Sequence, residues 1–355
     1  MANWDHTYIN INGQAVKAQA PVIVSASRST DIPAFYADWF FHRLETGYSA
    51  WTNPFNGVKS YVSYEKTRFI VFWSKNPEPL IPYLHILKEK GIKCYIQYTL
   101  NDYEDEKLEK VPSLEKRIDT FKKLVSELGQ GRVVWRFDPL ILTEDITIDK
   151  LLNKIQNIGD QLKGYTEKLV FSYADIESYK KVKSNLQKNN IPYKDWSISQ
   201  MDEFAARLSK MNAERGWKYT LATCGEKIDI EKYGIAHNRC IDGDLITRIA
   251  WNDSVLMKFM GVKIMDAPQP DLFGSSVELP TNAIPLPGGK YFISGHKKDS
   301  GQRELCGCMA AKDIGEYNTC PHLCEYCYAN ATKQTAINNW LCHQNNKFAE
   351  TITGK

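Results

Sequence analysis

Three cysteines near the carboxyl end of the chain have the spacing of metal ligands. Cys320, Cys324 and Cys327 form a CxxxCxxC pattern, and Tyr326 directly precedes the third cysteine. Three thiolates on one short loop can bind three irons of a [4Fe-4S] cluster, whereas clusters of the ferredoxin type take four cysteines. The fourth iron can then bind a further ligand, just as a catalytic zinc ion binds water or substrate at its open coordination position. The pattern therefore predicts a redox cluster at which chemistry can take place.

A structural zinc ion is the alternative occupant of this loop, with Cys308 or His322 as its fourth ligand. Zinc sites usually combine two CxxC or CxxH arms that a longer loop separates. The uneven gaps of three and two residues fit that arrangement poorly. We therefore expect iron–sulfur chemistry at these cysteines.

Four further cysteines form a second candidate set. Cys224 ends the last predicted strand, Cys240 follows it, and Cys306 and Cys308 form a CxC pattern ahead of the first three cysteines. Four thiolates close an iron–sulfur cluster completely, which makes it an electron-transfer or structural centre. An auxiliary cluster, a zinc site and unliganded buried cysteines are all compatible with this set. Cys308 could alternatively complete the first cluster and close it.

Six short β-rich runs alternate with longer helical stretches, as in βα units around a parallel sheet. The predicted strands are Val22 to Ser27, Arg68 to Trp73, Lys93 to Thr99, Arg132 to Phe137, Lys168 to Tyr173 and Lys218 to Thr223. The sequence thus predicts an α/β fold, a partial or irregular (β/α) barrel of about six parallel strands. Residues 268–290 are rich in Pro and turn residues, which indicates a boundary. We expect a barrel domain at 1–267, a Pro-rich connection at 268–290, and at 291–355 a cysteine-rich iron–sulfur segment with a final helix packed on the barrel.

Polar side chains stand at the ends of all six predicted strands. Ligands of parallel α/β proteins bind at the carboxyl ends of strands, although Asn and Asp there also cap helices. The candidate site residues at these ends are Arg28, Lys75, Gln97, Asn101, Arg136, Asp138 and Glu226.

Arg136 and Asp138 stand two positions apart on one strand, so their side chains point to the same face. An arginine offers paired donors to a carboxylate, and an aspartate accepts from an ammonium or a hydroxyl, so together they could bind a zwitterion. An internal ion pair that supports the barrel is the equally good alternative, because buried charges are usually paired.

The composition is that of an ordinary globular protein, with 43% hydrophobic and 25% charged residues. A formal net charge of +3 gives no clear nucleic-acid signal. No apolar run has membrane-spanning length, and the first residues lack the features of a signal peptide, so we expect no membrane partner and a cytoplasmic location. In that compartment the nine cysteines are better explained as metal or redox ligands than as disulfides.

The cysteine pattern resembles the cluster loop of the radical SAM superfamily. A closer resemblance, from about Pro21 to Asn330, is to an uncharacterised bacterial family with a C-terminal radical SAM-like cysteine cluster. The motifs that carry it are Ser-Arg-Ser-Thr-Asp-Ile-Pro, Phe-Trp-Ser-Lys-Asn-Pro, Arg-Phe-Asp-Pro and Lys-Asp-Ile-Gly-Glu-Tyr-Asn-Thr-Cys.

The resemblance implies an enzyme that cleaves S-adenosylmethionine reductively at the open iron and removes hydrogen from an unknown substrate. A reducing partner such as flavodoxin or ferredoxin would supply the electron. In this hypothesis Gln97, Asn101, Arg136, Asp138 and Tyr326 bind S-adenosylmethionine. The residues that face the substrate are then Arg28, Lys75 and Glu226. The alternative is a non-enzymatic iron–sulfur or zinc protein, in which metal orders the C-terminal loop and the barrel binds a small ligand.

The cysteine loop lies near the end of this chain, whereas the superfamily normally carries it near the amino terminus. The barrel could be permuted, or the loop could belong to an appendage over the barrel mouth. In either case, we expect the cysteine loop to occupy the same place in space as in the superfamily.

Overall fold

The computed structural model describes residues 4–53, 56–268 and 279–354. The strands are β1 (His6–Ile11), β2 (Gln14–Gln19), β3 (Ile23–Ala26), β4 (Tyr48–Thr52), β5 (Lys59–Ser63), β6 (Phe69–Ser74), β7 (Lys93–Thr99), β8 (Val133–Leu140), β9 (Lys168–Tyr173), β10 (Thr220–Thr223), β11 (Ile235–His237), β12 (Met265–Asp266), β13 (Ala283–Leu286), β14 (Lys290–Ile293) and β15 (Lys312–Asp313). The helices are α1 (Ile32–Phe35), α2 (Ala37–Thr46), α3 (Leu84–Glu89), α4 (Leu114–Leu128), α5 (Ile148–Leu162), α6 (Lys180–Lys188), α7 (Ile198–Glu214), α8 (Gly243–Ala250), α9 (Ser254–Met260) and α10 (Lys333–Asn345), with short 3-10 turns at Glu78–Tyr83 and Glu231–Tyr233.

An eight-stranded parallel sheet forms the centre of the protein, in the order β11-β10-β9-β8-β7-β6-β3-β15. The six predicted strands are confirmed as its six inner strands. The expected number of about six is too low, because β11 and β15 extend the sheet at its two edges. No hydrogen-bonded pairing joins these two edge strands within the described residues, so the sheet is open and a closed barrel is not formed.

Burial on both faces explains why the inner strands are almost continuously apolar. All four residues of β3 and all but Trp73 of β6 are buried, as expected for parallel strands covered by helices. The covering helices begin at capping side chains, such as Ser113 before α4 and the Ser197–Gln200 capping box of α7. In the described part of the chain, no helix has both the length and the apolar content that crossing a membrane requires.

Two smaller sheets flank the parallel sheet. The amino-terminal strands form a four-stranded sheet in the order β1-β2-β5-β4, and a three-stranded antiparallel sheet has the order β12-β14-β13. Strand β13 falls inside the predicted Pro-rich connection at 268–290. Residues 269–278 of that connection lie outside the described residues.

The final helix, α10, packs against the first two helices. Its Trp340 ring meets Phe35 and Tyr36 edge-on, with ring centroids 5.6 and 5.4 Å apart. The carboxyl end of the chain therefore contacts the helices that follow β3.

Strand β15 fixes where the C-terminal cysteines enter the fold. Asp313 pairs in parallel register with Ser25 of β3, and its carboxylate accepts hydrogen bonds from the Ser25 hydroxyl (2.7 Å) and the Arg28 backbone N–H (2.8 Å). The chain then continues into the CxxxCxxC pattern. The loop that carries the cysteines therefore leaves the carboxyl end of an edge strand next to β3.

Gly315 allows this close approach of β15 to β3, and we expect Gly315→Ala to disturb it. A Cβ atom at position 315 would lie 1.8 Å from the Ser27 Oγ atom and 2.6 Å from its Cβ atom. We expect the free energy of unfolding to fall by about 2–3 kcal/mol, as for other overpacked sites. Urea unfolding measures this, with Gly295→Ala as the control because nothing lies within 4 Å of a Cβ atom there. Equal stability of the two variants would contradict the docking of β15.

Candidate functional site

The first three cysteines lie on a closed loop, residues 318–330, which we name the cluster loop. The Asn318 backbone N–H donates to the Ala329 carbonyl (3.1 Å), and the Asn330 side chain donates to the Cys320 carbonyl (2.9 Å). Asn318 and Leu323 adopt the left-handed backbone conformation, with φ of 65° and 51°. These turns fold the loop back on itself, so that its two ends meet.

The thiols of Cys320, Cys324 and Cys327 are held within electrostatic reach of one another. Burial raises the pKa of Cys324 well above the ordinary thiol value, Lys75 opposes that shift, and the charges of Cys327 and Cys320 add to it. Burial also raises the pKa of Cys320. Without a cation, both thiols are therefore protonated at neutral pH, and a bound metal ion would reverse this.

Tyr326 anchors the cluster loop to a buried polar network. The Lys75 ammonium lies 2.8 Å from the Glu109 carboxylate and 2.9 Å from the Tyr326 hydroxyl. The Asn101 side-chain amide donates to the same carboxylate (2.8 Å), and the Tyr326 hydroxyl donates to it as well. The side chains of Lys75 and Glu109 are only 16% and 1% exposed. Three predicted site residues, Lys75, Asn101 and Tyr326, thus meet around one carboxylate.

Glu109 is the residue of this network that sequence reasoning missed. It lies in a polar loop between β7 and α4, and no motif or periodicity distinguishes it from its acidic neighbours. Burial would raise its pKa, but the charges of Lys75 and Arg117 and two hydrogen bonds lower it to about 2. Glu109 is therefore a buried carboxylate that stays ionised.

His322 is fully engaged with protein groups. Its Nε2 atom lies 2.8 Å from the Asp31 carboxylate, and its Nδ1 atom lies 3.0 Å from the Lys110 carbonyl. Asp31 also accepts a hydrogen bond from the Lys75 backbone N–H (2.7 Å). Because both ring nitrogens have protein acceptors, His322 fits the role of fourth metal ligand poorly.

Replacing His322 by Ala should therefore leave metal binding at the cluster loop unchanged. We expect the same iron content per chain after anaerobic reconstitution, together with a loss of about 1–3 kcal/mol in stability, because the buried Asp31 carboxylate loses a hydrogen bond. Elemental analysis and thermal unfolding report the two effects separately. Loss of metal in a folded variant would instead make His322 a ligand.

The second cysteine set converges from three places in the chain. Cys224 follows β10, Cys240 follows β11, and Cys306 and Cys308 precede β15. The sulfur atoms of Cys224 and Cys240 are 3.6 Å apart, and Cys308 is hydrogen-bonded to both Cys240 and Cys306. Hydrogen bonds from Cys224 and Cys308 hold the pKa of Cys240 well below the ordinary thiol value, and the bond from Cys308 lowers the pKa of Cys306 to about 6. The same hydrogen bonds raise the pKa of the two donors, Cys224 and Cys308.

Four N–H groups point at two of these sulfur atoms. An Arg136 guanidinium N–H and the Asn238 side-chain amide lie 3.2 and 3.3 Å from the Cys240 sulfur. The backbone N–H groups of Cys240 and Ile241 lie 3.2 and 3.4 Å from the Cys308 sulfur. Donors of this kind favour the thiolate over the thiol, which is the form that binds metal.

Positive charge also surrounds the second set. Arg28 interacts electrostatically with Cys308, Cys240 and Cys306, and its guanidinium stacks on Trp73 at 5.4 Å from the ring centroid. Arg303 interacts with Cys224, Cys306 and Cys240. These arginines can balance the charge of several thiolates.

The structure divides the predicted S-adenosylmethionine residues between the two cysteine sets. Gln97 and Arg136 contact Cys240, since the Gln97 amide donates to its carbonyl (3.0 Å) and Arg136 to its sulfur. Asn101 contacts the cluster-loop network. Asp138 lies between the sets, because its backbone N–H donates to Asn101 (2.8 Å) while its carboxylate pairs with Arg136.

Glu226 lies at the carboxyl ends of β9 and β10. Its carboxylate accepts a hydrogen bond from the Tyr173 backbone N–H (2.9 Å). Burial raises the pKa of Glu226 to about 7. The hydrogen bond from Tyr173 opposes this shift, and the negative charge of Asp138 adds to it. Glu226 can therefore hold or release a proton near neutral pH.

Beside the cluster loop is a cavity of about 170 Å³, bordered by Cys324, Cys327 and the carboxyl end of α6. Within the described ranges, no three His, Cys, Asp or Glu side chains are already arranged as ligands of a single metal ion.

The comparison with curated proteins found no match, and the comparison with solved structures found none either. One family model, described as a domain of unknown function (DUF1848), matches residues 23–329. This match includes the parallel sheet, the cluster loop up to Ala329 and all cysteines of the second set. The chain therefore belongs to the DUF1848 family.

Proposed function

We propose that the protein is a radical SAM-like enzyme whose Cys320, Cys324 and Cys327 hold a [4Fe-4S] cluster with one open iron. The observation that carries this proposal is the position of the cluster loop after β15. Strand β15 pairs in parallel with β3, so the loop lies at the carboxyl edge of the sheet, where parallel α/β proteins bind their ligands. The late position of the cysteines in the chain is thereby reconciled with a site at the sheet.

The donor set fits such a cluster. Three thiols lie on one folded loop within electrostatic reach of one another, and a cavity borders two of them. With S-adenosylmethionine bound, such a cluster supplies the electron for reductive cleavage of its sulfonium and, through this, for removal of hydrogen from a substrate. The protein's own contribution is to bind, orient and shield these groups.

We further propose that the open sheet curves into a partial (β/α) barrel. Side chains of Gln97 on β7 and Arg136 on β8 meet at Cys240, which Arg28 after β3 and Cys224 after β10 also approach. In a flat sheet β3 and β10 would be separated by five strand spacings, or about 24 Å. Curvature around Cys240 accounts for this convergence.

The residues near the cluster loop take two roles in this proposal. Lys75, Glu109 and Tyr326 hold the cluster loop against the sheet, so that its cysteines keep their position. Asn101, 3.2 Å from the Tyr326 hydroxyl, and Asp138, joined to Asn101 by a 2.8 Å hydrogen bond, bind S-adenosylmethionine beside the cluster loop. Gln97 and Arg136 contact it from the side of Cys240.

The substrate side of the proposed site contains Arg28, Glu226 and the Lys75 ammonium. Arg28 and Lys75 suit an anionic group, and Glu226, which can hold or release a proton near neutral pH, suits proton transfer. Reduced flavodoxin or ferredoxin in the cytoplasm would supply the electron.

Product analysis tests the proposal. The protein is reconstituted with iron and sulfide without oxygen, reduced with dithionite, and incubated with S-adenosylmethionine. We expect 5′-deoxyadenosine and methionine to form in equal amounts, measured by chromatography and mass spectrometry. Cys342→Ala on α10, outside both cysteine sets, is the matched control and should retain the activity. A reconstituted cluster that forms no 5′-deoxyadenosine under strong reduction would refute the proposed chemistry.

A further inference from the structure

We infer that Cys224, Cys240, Cys306 and Cys308 bind a single zinc ion that braces the open seam of the sheet. This inference does not rest on the proposed function, because zinc binding by these thiols requires neither S-adenosylmethionine nor iron, although Arg28 and Arg136 adjoin both sites. The sequence also allows an auxiliary iron–sulfur cluster at these four cysteines, and the inference assigns a structural zinc ion to them instead.

The seam between the two edge strands gives the second set its role. Cys240 lies three residues after β11, and Cys308 lies four residues before β15. The Cys240 backbone N–H nevertheless donates to the Cys308 sulfur at 3.2 Å. One backbone hydrogen bond, from the Met309 N–H to the Ile241 carbonyl (3.1 Å), crosses the seam beside these cysteines, but among the described residues no ladder of such bonds pairs β11 with β15. A metal ion held by both sides would replace the missing strand pairing.

The spacing of the sulfur atoms distinguishes one ion from a cluster. Zinc–sulfur bonds of about 2.3 Å in tetrahedral geometry place two ligand sulfurs about 3.8 Å apart. The Cys224 and Cys240 sulfurs are 3.6 Å apart, close to that edge length. Each thiolate of a [4Fe-4S] cluster binds a different iron, which sets the sulfurs farther apart. Among the described residues, no hydrogen bond joins the thiols of Cys320, Cys324 and Cys327, in contrast to the second set.

The surroundings of the four thiols favour a bound cation with a closed shell of ligands. N–H donors point at the Cys240 and Cys308 sulfurs, as hydrogen-bonding groups around the ligands of a metal ion do. The guanidinium groups of Arg28, Arg136 and Arg303 balance the net negative charge that four thiolates leave on one zinc ion. Four thiolates also leave no open coordination position, which is typical of a structural zinc site.

The four sulfurs are joined in a chain of contacts, from Cys224 through Cys240 and Cys308 to Cys306. They do not yet surround one point, in line with the absence of a ready ligand group in the described ranges. We expect the side chains of the end members, Cys224 and Cys306, to rotate toward Cys240 and Cys308 when zinc binds. Metal binding therefore requires side-chain movement.

Metal analysis of four chains tests the inference: wild type, Cys308→Ser, Cys324→Ala and the control Cys342→Ala. Purified without added iron, the wild type should contain about one zinc ion per chain. We expect Cys308→Ser to lose this zinc, and Cys324→Ala and Cys342→Ala to keep it. Unchanged zinc in Cys308→Ser would overturn the assignment, and so would four irons with sulfide at the second set. A disulfide between Cys224 and Cys240 in a metal-free wild type would overturn it as well.

Two measurements on the wild type guard against misfolding of the variant. Zinc X-ray absorption should show four sulfur neighbours at about 2.3 Å, and a shell with nitrogen or oxygen neighbours would contradict the four-thiolate site. After zinc removal by a chelator, hydrogen exchange should rise in peptides that cover 235–241 and 306–316, while peptides of β6 to β8 stay protected. Equal exchange at the seam with and without zinc would overturn the bracing role.

Discussion

Replacing Cys324 by Ala is expected to abolish the cleavage of S-adenosylmethionine while the metal-free chain stays folded. A cluster held by three thiolates loses one of its only protein ligands, and even changes next to metal ligands reduce metal affinity or activity by roughly 10- to 100-fold. We therefore expect the formation of 5′-deoxyadenosine to fall by more than about 100-fold. Contacts that do not involve Cys324 still hold the cluster loop, in particular those of Tyr326 and His322.

The stability of Cys324→Ala distinguishes the enzyme hypothesis from the alternative, in which metal only orders the C-terminal loop. Compared as metal-free chains, Cys324→Ala and wild type should differ by less than about 1.5 kcal/mol in the free energy of unfolding, a common size for a single buried substitution. Hydrogen exchange after residue 290 should also be the same. Two results together would favour a metal-ordered, non-enzymatic protein. The segment after residue 290 would lose its protection from hydrogen exchange when iron cannot bind, and the wild type would show no cleavage activity.

Replacing Glu109 by Gln should cause the largest loss of stability at the site. The substitution removes the negative charge but leaves the Lys75 ammonium buried without its ionic partner. Breaking one side of a buried ion pair costs about 3–5 kcal/mol, and we expect about 3 kcal/mol at pH 7 because Lys75 is slightly exposed. Urea unfolding measures the change. Asp105→Asn, at an exposed position of the same loop, is the control and should change stability by less than about 0.5 kcal/mol.

The pH dependence of this effect follows from the low pKa of Glu109. The carboxyl pKa is about 2 in the folded protein and has an ordinary value of 4.5. Between these values the folded state binds fewer protons than the unfolded state, so the stabilisation by Glu109 is complete above about pH 4.5 and is lost as pH falls toward 2. The difference between wild type and Glu109→Gln should therefore shrink below pH 4.5. A difference that stays constant from pH 7 to pH 3 would contradict an ionised Glu109.

The inner strands were predictable because each is a short run dominated by apolar, β-branched and aromatic residues, with helical segments on either side. The edge strands β11 and β15 contain three and two residues, too few for a periodic pattern, and they form only because a neighbouring strand offers hydrogen bonds. The placement of the cluster loop depends on β15. The sequence allowed either a permuted barrel or an appendage, and the local pattern does not show that β15 pairs with β3.

The site residues show the same division between local and long-range information. The i and i+2 spacing of Arg136 and Asp138 correctly placed both side chains on one face, and they form an ion pair with each other. Glu109 carries no local signal, because its role depends on Lys75 and Tyr326, which lie far away in the chain. The contact between Cys240 and Cys308 likewise depends on how the sheet brings its edges together.

Electron paramagnetic resonance of the reduced, reconstituted protein shows whether Cys320, Cys324 and Cys327 hold a cluster with an open iron. We expect a [4Fe-4S] signal that changes on addition of S-adenosylmethionine, because the cofactor binds that iron. The change should disappear in Cys324→Ala and persist in Cys308→Ser. A cluster signal that S-adenosylmethionine leaves unaltered, or the absence of any iron signal in a chain that binds zinc at Cys320, Cys324 and Cys327, would contradict the proposed open iron.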